Sequence, residues 1–240
     1  MDKPTVAPEP NRLLAKLGER GQEELRPLLT PVALEYKLPL YEAHRRIEFV
    51  YFLESGVASL VSMMADGAAA EVGTVGNEGV VGLPIVLGDE MAPTSVYMQV
   101  PGQGLRVKAE IFREKMMRSV PLRTLMLRYA HAFFNQVAQT AACAHFHNLE
   151  ERCCRWLLMT RDRMPSDEFR LTHEFLAMML GVRRAGVTVA AGVLQRRGYI
   201  RYQRSIVTIL DRPGLESASC ECYGVAKAEF DRLLGVALPR

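Results

Sequence analysis

The chain has 240 residues, a net charge of +3 and an apolar fraction of 49%, which allows two modest domains with their own cores and is too balanced in charge for the whole molecule to be drawn to a polyanion. Its longest apolar runs, such as Val80 to Leu87, contain Gly or Pro and are too short to cross a bilayer. The opening MDKPTVAPEPN lacks the apolar stretch of a secretion signal, and the five cysteines form no CxxC pair, so a cytoplasmic protein with free thiols and no membrane partner is expected.

In chain order, residues 1–20 are expected to be a flexible tail, although Asn11 to Leu29 carries a weak helical pattern broken at Gly18 and Gly21. Residues 21–118 form the next unit. From Val32 to about Lys108 short segments rich in Val, Tyr, Phe and Leu alternate with Gly and Pro, the texture of an all-β domain. Ile47 to Leu53 and Val57 to Met63 read as neighbouring strands, and Asp66-Gly67 supplies a tight turn before Ala70 to Val75. Gly76, Gly79 and Gly82 have a spacing that could bring backbone amides to an anion. With no charged partner in view, corners of a small barrel are the preferred reading. His44 is the sole histidine of this unit, which argues against a metal-dependent enzyme of the cupin kind.

A long helix is expected over residues 119–148, with Ser119 near its cap and Pro121 in its first turn. Leu122, Met126, Tyr129, Phe133, Val137, Thr140 and Ala144 recur every three or four residues, a stripe expected to pair with the same helix of a second copy while its breadth also covers the β-domain. A further helix runs from Leu149 to Met164 and is closed by Pro165. Cys143 and His147 stand one turn apart, with His145, Cys153 and Cys154 nearby and Cys220-Glu221-Cys222 far downstream. A metal or redox sensor could be built from them, but no spacing matches a zinc motif, so core or interface roles are preferred and no metal or cofactor is expected.

Residues 149–240 are read as a winged helix-turn-helix. Phe175, Leu176, Met178 and Met179 have helical spacing up to Gly181, a second helical run holds Val187, Ala190, Ala191 and Leu194, and Gly198 ends it. Tyr199 to Arg201 and Ser205 to Leu210 then alternate as two strands. Between Glu174 and Asp211 there is no acidic residue, yet there are six arginines: Arg183, Arg184, Arg196, Arg197, Arg201 and Arg204. Guanidinium groups on a second helix suit the phosphates and base edges of duplex DNA. The residues nearest its N-terminus are Arg183, Arg184, Ala185, Gly186, Thr188 and Val189. The C-terminal residues, with Phe230, Leu233 and Leu234, read as one more helix covering some core.

The order β-domain, long helix, winged helix resembles the Crp/Fnr superfamily of bacterial transcription regulators. The resemblance is most specific in Leu171-Thr172-His173-Glu174, Leu180 to Arg184 and Leu194 to Ile200. It implies an α+β chain with an N-terminal β-roll (a double-stranded β-helix of the cyclic-nucleotide-binding kind), a central dimerisation helix and a C-terminal winged helix. It also implies a homodimer on an inverted-repeat operator in double-stranded DNA, with RNA polymerase and a small-molecule effector as further partners. Phosphate contacts are expected from Thr172 and His173 at a helix N-terminus and from Arg204 and Ser205 in the wing.

This chain also departs from the family. Where cyclic-nucleotide binders carry a glutamate and an arginine, it has Val80 or Val81 and Pro93 or Thr94, so cyclic AMP is not expected to bind by the usual contacts. The N-terminal cysteines of the iron-sulfur sensors are missing as well. Where the founding regulators read bases with a glutamate and an arginine, Ala185 and Val189 stand, leaving base reading to Arg184, Arg183 and Thr188. The chain is read as a regulator and not an enzyme; the competing reading is a ligand- or metal-binding enzyme or redox sensor with an appended winged helix.

Overall fold

The computed structural model describes residues 10–164 and 166–235. The opening residues 1–9 and the expected helix-closing Pro165 therefore lie outside the described part. Two short helices, α1 (Arg12–Ala15) and α2 (Glu19–Leu25), lead into the β-roll. Its strands are β1 (Thr30–Leu34), β2 (Pro39–Tyr41), β3 (Phe49–Leu53), β4 (Val57–Met63), β5 (Ala69–Val75), β6 (Val80–Val81), β7 (Ser95–Val100) and β8 (Gly102–Lys108), with helix α3 (Leu83–Leu87) after β6. They form two four-stranded antiparallel sheets, in the orders β1-β8-β3-β6 and β2-β7-β4-β5. Val50 and Phe52 of the first sheet and Ala58 and Met98 of the second are fully buried in one shared core, as two packed β layers require.

The expectation of a flexible tail over residues 1–20 does not hold for its second half. Asn11 caps α1 by accepting from the Leu14 amide, and its Nδ2 donates to the carbonyls of Leu53 and Gly79, both at 2.8 Å. Leu13 and Leu17 are buried in the β-roll core. A buried, fully bonded asparagine fixes this segment to the roll as a plug.

Helix α4 (Ala109–Arg118) leads to the 27-residue α5 (Val120–Phe146), capped by Ser119 with Pro in its first turn, as expected. After His147 the chain turns, and Asn148 with Glu151 forms a reciprocal capping box that starts α6 (Leu149–Arg161). The winged helix follows: β9 (Glu168–Arg170), α7 (His173–Leu180), α8 (Arg184–Arg196), β10 (Ile200–Gln203) and β11 (Ile206–Ile209), in a three-stranded sheet of order β10-β11-β9. Two helices close the chain, α9 (Arg212–Ser217) and α10 (Cys222–Leu234). The last does not stay with the winged helix: Phe230 and Leu234 enter the β-roll core, where the Phe230 and Tyr129 ring centroids are 6.3 Å apart.

The expected dimer stripe on α5 is corrected by burial. Leu122, Met126, Tyr129 and Phe133 are at most 6% exposed within a single chain, because the β-roll takes them up. Val137 is half-buried, and Thr140 accepts a hydrogen bond from Arg155 at 2.8 Å; of the stripe only Ala144 is exposed. The open face of α5 carries instead Val120, Thr124, Leu127, His131, Phe134, Ala138, Ala141 and His145. That sequence of steps, alternately four and three residues, is a heptad repeat one face away.

Two polar contacts, one buried and one half-buried, join the β-roll to the winged-helix half. Arg163, just beyond α6, donates to Glu78 from Nε (2.9 Å) and approaches it with Nη2 (2.7 Å), while Nη1 donates to the Met159 carbonyl and Nη2 to Gln136 of α5. Both side chains are 1% exposed. Glycine is required at the turn that holds Glu78, since a Cβ on Gly76 would lie 2.6 Å from the Arg163 side chain and one on Gly79 would lie 2.3 Å from the Tyr129 hydroxyl and 2.7 Å from its ring. The second contact is Glu71 of β5, which accepts from Ser59 (2.6 Å) and from the Trp156 indole of α6 (2.9 Å). Burial pushes the Glu71 carboxyl up to about 7.

Arg163→Leu is expected to cost about 3–5 kcal/mol in urea denaturation, because it leaves Glu78 buried without its partner, and an added Glu78→Gln should recover part of the deficit. For Glu71 the folded chain holds a proton that the unfolded chain releases above its ordinary value of 4.5, so its contribution to stability should fall as pH rises from about 4.5 to about 7 and then level off. Denaturation midpoints of Glu71→Gln relative to the parent, measured across that window, should show this pH-dependent fall abolished.

Candidate nucleic-acid interface

Helices α7 and α8 meet at 109°, within the range of a helix-turn-helix. Gly181 makes the turn possible: it ends α7 at a left-handed φ of 63°, and its amide donates back to the Ala177 and Met178 carbonyls. On α8, Val187, Ala190, Ala191 and Leu194 are buried, and the first, second and fourth of these share a core with Leu157, Leu176 and Met179. That packing turns Arg183, Arg184, Ala185, Thr188 and Val189 outward, all exposed, with Gly186 half-buried behind them. Val189 is 66% exposed, an apolar side chain open to solvent beside exposed arginines.

The flanking residues are pre-ordered. Thr172 caps α7 by accepting from the Phe175 amide at 3.1 Å. His173 stacks on Tyr202 of the wing with ring centroids 4.3 Å apart, and its Nδ1 lies 3.0 Å from the Thr188 hydroxyl. Partial burial, and after it the charge of Arg184, holds the His173 ring below its usual range. Thr188 also donates to the Arg184 carbonyl at 3.1 Å, which ties its hydroxyl down. At the wing tip Arg204 and Ser205 have φ of 49° and 63°, a two-residue hairpin turn with positive φ at both central residues and no glycine to relieve it. The strain presents Arg204 at the end of the wing, exposed.

The remaining singled-out residues divide into two places. Cys153 and Cys154 lie in the winged-helix core, where burial pushes both thiols up to about 12. Cys143, Cys220 and Cys222 form a cluster of their own with His147, a convergence of residues up to 79 positions apart that no local spacing reveals. In the β-roll, Val80, Val81, Pro93 and Thr94 line a cavity of about 230 Å³ beneath α5, together with Phe133 and Phe134; all its lining side chains are uncharged.

Residues 151–218 match the family model of the Crp-like helix-turn-helix domain. None of the curated proteins matches the chain. Among solved structures, FixK2 from Bradyrhizobium japonicum is similar with a TM-score of 0.69 at 14% identity, over 80% of this chain and 98% of that one. TTHB099, a transcriptional regulator of the CRP family from Thermus thermophilus, gives 0.65 at 18% identity, over 88% and 98%. The c-di-GMP responsive global regulator CLP from Xanthomonas campestris gives 0.62 at 13% identity, over 79% and 98%.

Proposed function

The chain has the Crp/Fnr fold with a Crp-like helix-turn-helix at residues 151–218, and from that premise we propose that it regulates transcription as a homodimer on an inverted-repeat operator. The observation that carries this reading is the outward N-terminus of α8, where Arg183 and Arg184 stand exposed in a stretch free of acidic residues from Glu174 to Asp211. Arg184 and Arg183 serve base edges and phosphates, Ala185 and Val189 meet thymine methyl groups, and Thr172, His173, Arg204 and Ser205 flank them on the backbone. Thr188 contributes through its bond to His173, orienting the ring.

The exposed heptad face of α5 supplies the dimer contact in this proposal. Val120, Leu127 and Phe134, 61%, 48% and 68% exposed, recur at intervals of seven and would bury against the same residues of a second copy. Two recognition helices are then held about one DNA turn apart, roughly 34 Å. Phe134 also lines the β-roll cavity, so an effector there would touch the dimer seam directly. An uncharged lining supports a small apolar effector and no cyclic nucleotide, whose buried phosphate would lack a cation. Among the described residues no single helix is long and apolar enough to cross a membrane.

The double variant Arg183→Ala, Arg184→Ala should weaken operator binding in mobility shift by about 1–3 kcal/mol for each arginine that reads a base, and the salt dependence should become shallower for each arginine that neutralises a phosphate; unchanged affinity would refute the assignment of α8. Phe134→Glu should sediment as a monomer and bind a palindromic operator weakly, with its single-chain fold intact by circular dichroism.

A further inference from the structure

We propose that Cys143, His147, Cys220 and Cys222 form a tetrahedral Cys3His site for a zinc-class divalent cation, which clamps the C-terminal helix α10 to the end of the long helix α5. The four ligand atoms lie within 4.8 Å of one another. Cys143 Sγ and Cys220 Sγ are 3.5 Å apart, as are Cys222 Sγ and His147 Nδ1. Bonds of about 2.3 Å to sulfur in a tetrahedral site set a sulfur-sulfur edge of roughly 3.7 Å, so one ion fits with little movement.

The donor set has the surroundings of a metal site as well as its spacing. The three cysteines are buried. The His147 nitrogen turned away from the cluster, Nε2, lies 3.1 Å from the Glu221 carboxylate, the outer partner that fixes the tautomer and ring orientation of a ligating histidine. Gln139 Nε2 donates to Cys222 Sγ at 3.0 Å. Three thiolates around a dication leave one net negative charge.

The place of the site decides what occupancy does. Cys143 and His147 sit one turn apart at the end of α5, where the chain bends into α6, and Cys220 and Cys222 bracket the start of α10. Tyr223, next in the chain, donates its hydroxyl to the buried Asp162 at 2.7 Å, and Arg212 of α9 donates to the same carboxylate at 2.7 Å. A metal at Cys222 therefore reaches, through one residue, the contact that holds α6 and α9 of the DNA-binding half in place. Any effect on operator affinity rests on the function proposed above; ion binding does not, and it is tested separately.

The full chain, purified without chelator, should carry close to one zinc per chain by elemental analysis. After the ion is stripped by a chelator under reducing conditions, Co2+ should bind at one equivalent, with the intense visible bands of four-coordinate cobalt and a thiolate-to-metal charge-transfer band. The Cys220→Ser, Cys222→Ser double variant should lose both. Glu221→Gln, which keeps all four ligands, should retain the spectrum and bind about 10-fold or more weakly. The proposal is overturned if the reduced wild-type chain takes up no Co2+, if the bands are those of a six-coordinate ion, if binding survives in the double variant, or if Cys143 and Cys220 are found joined as a disulfide in protein that binds no metal. The wild-type titration needs no variant to fold.

Discussion

The ion pair between Arg163 and Glu78 is the interaction on which the arrangement of the two halves depends. A buried pair is not stabilising merely by being paired, since desolvation of two charges offsets much of their attraction. Here the guanidinium is met on several sides, by Glu78, by the Met159 carbonyl and by Gln136, while Glu78 accepts from Arg163 and from the Gly76 amide (3.2 Å) at Oε1 and its buried Oε2 has no hydrogen-bond partner among the described residues. Residues of α5, α6 and the β-roll thus meet at one guanidinium. The neighbouring residue faces the other way: the Asp162 carboxylate, with no exposed side-chain surface, is bonded to Arg212 and Tyr223. Two successive residues after α6 therefore join the winged helix to the β-roll on one side and to the C-terminal helices on the other.

The same constraint explains the glycine run of the β-roll. As corners of a barrel, Gly76 and Gly79 would need only conformational freedom, yet neither has a positive φ. What they provide is the absence of a Cβ, at Gly76 for Arg163 and at Gly79 for Tyr129. The turn does meet a cation, but the cation is the chain's own arginine, 85 positions downstream of Glu78. Nothing in the sequence marks this partner, because an arginine in a helix-end turn gives no sign of pointing inward.

Legibility differs by the range of the signal. The helix-turn-helix, its Gly181 turn, the strands β4 and β5 and the cap of α5 follow from periodicity and local chemistry within a dozen residues, and they stand where the sequence puts them. The dimer stripe is misplaced because α5 is apolar on two faces. Its bulkier residues, Met126, Tyr129 and Phe133, are claimed by the nearer β core, and the weaker heptad of Val120, Leu127, Phe134 and the alanines is left outside. Hydrophobic strength alone does not tell which apolar face of α5 its own β core takes up, and only the seven-residue interval of Val120, Leu127 and Phe134 separates the two. Similarly, the cysteine cluster joins the end of α5 to the start of α10, and α10 leaves the winged helix to pack on the β-roll; both depend on tertiary path.

The path of α10 changes what the winged helix is attached to. A domain ending at the wing would be held from one side only, through the α5–α6 bend and the contacts of Trp156 and Arg163 with the β-roll. Here Phe230 and Leu234 are buried in the β-roll core, Asn135 of α5 donates to Glu229 at 2.9 Å, and Tyr223 reaches back to Asp162. The winged helix is therefore held at both ends, by α6 before it and by α9 and α10 after it, and both restraints converge on α5. Any shift of α5 relative to the β-roll, whether from the cavity under Phe133 and Phe134 or from the cluster at Cys143, must move both restraints together.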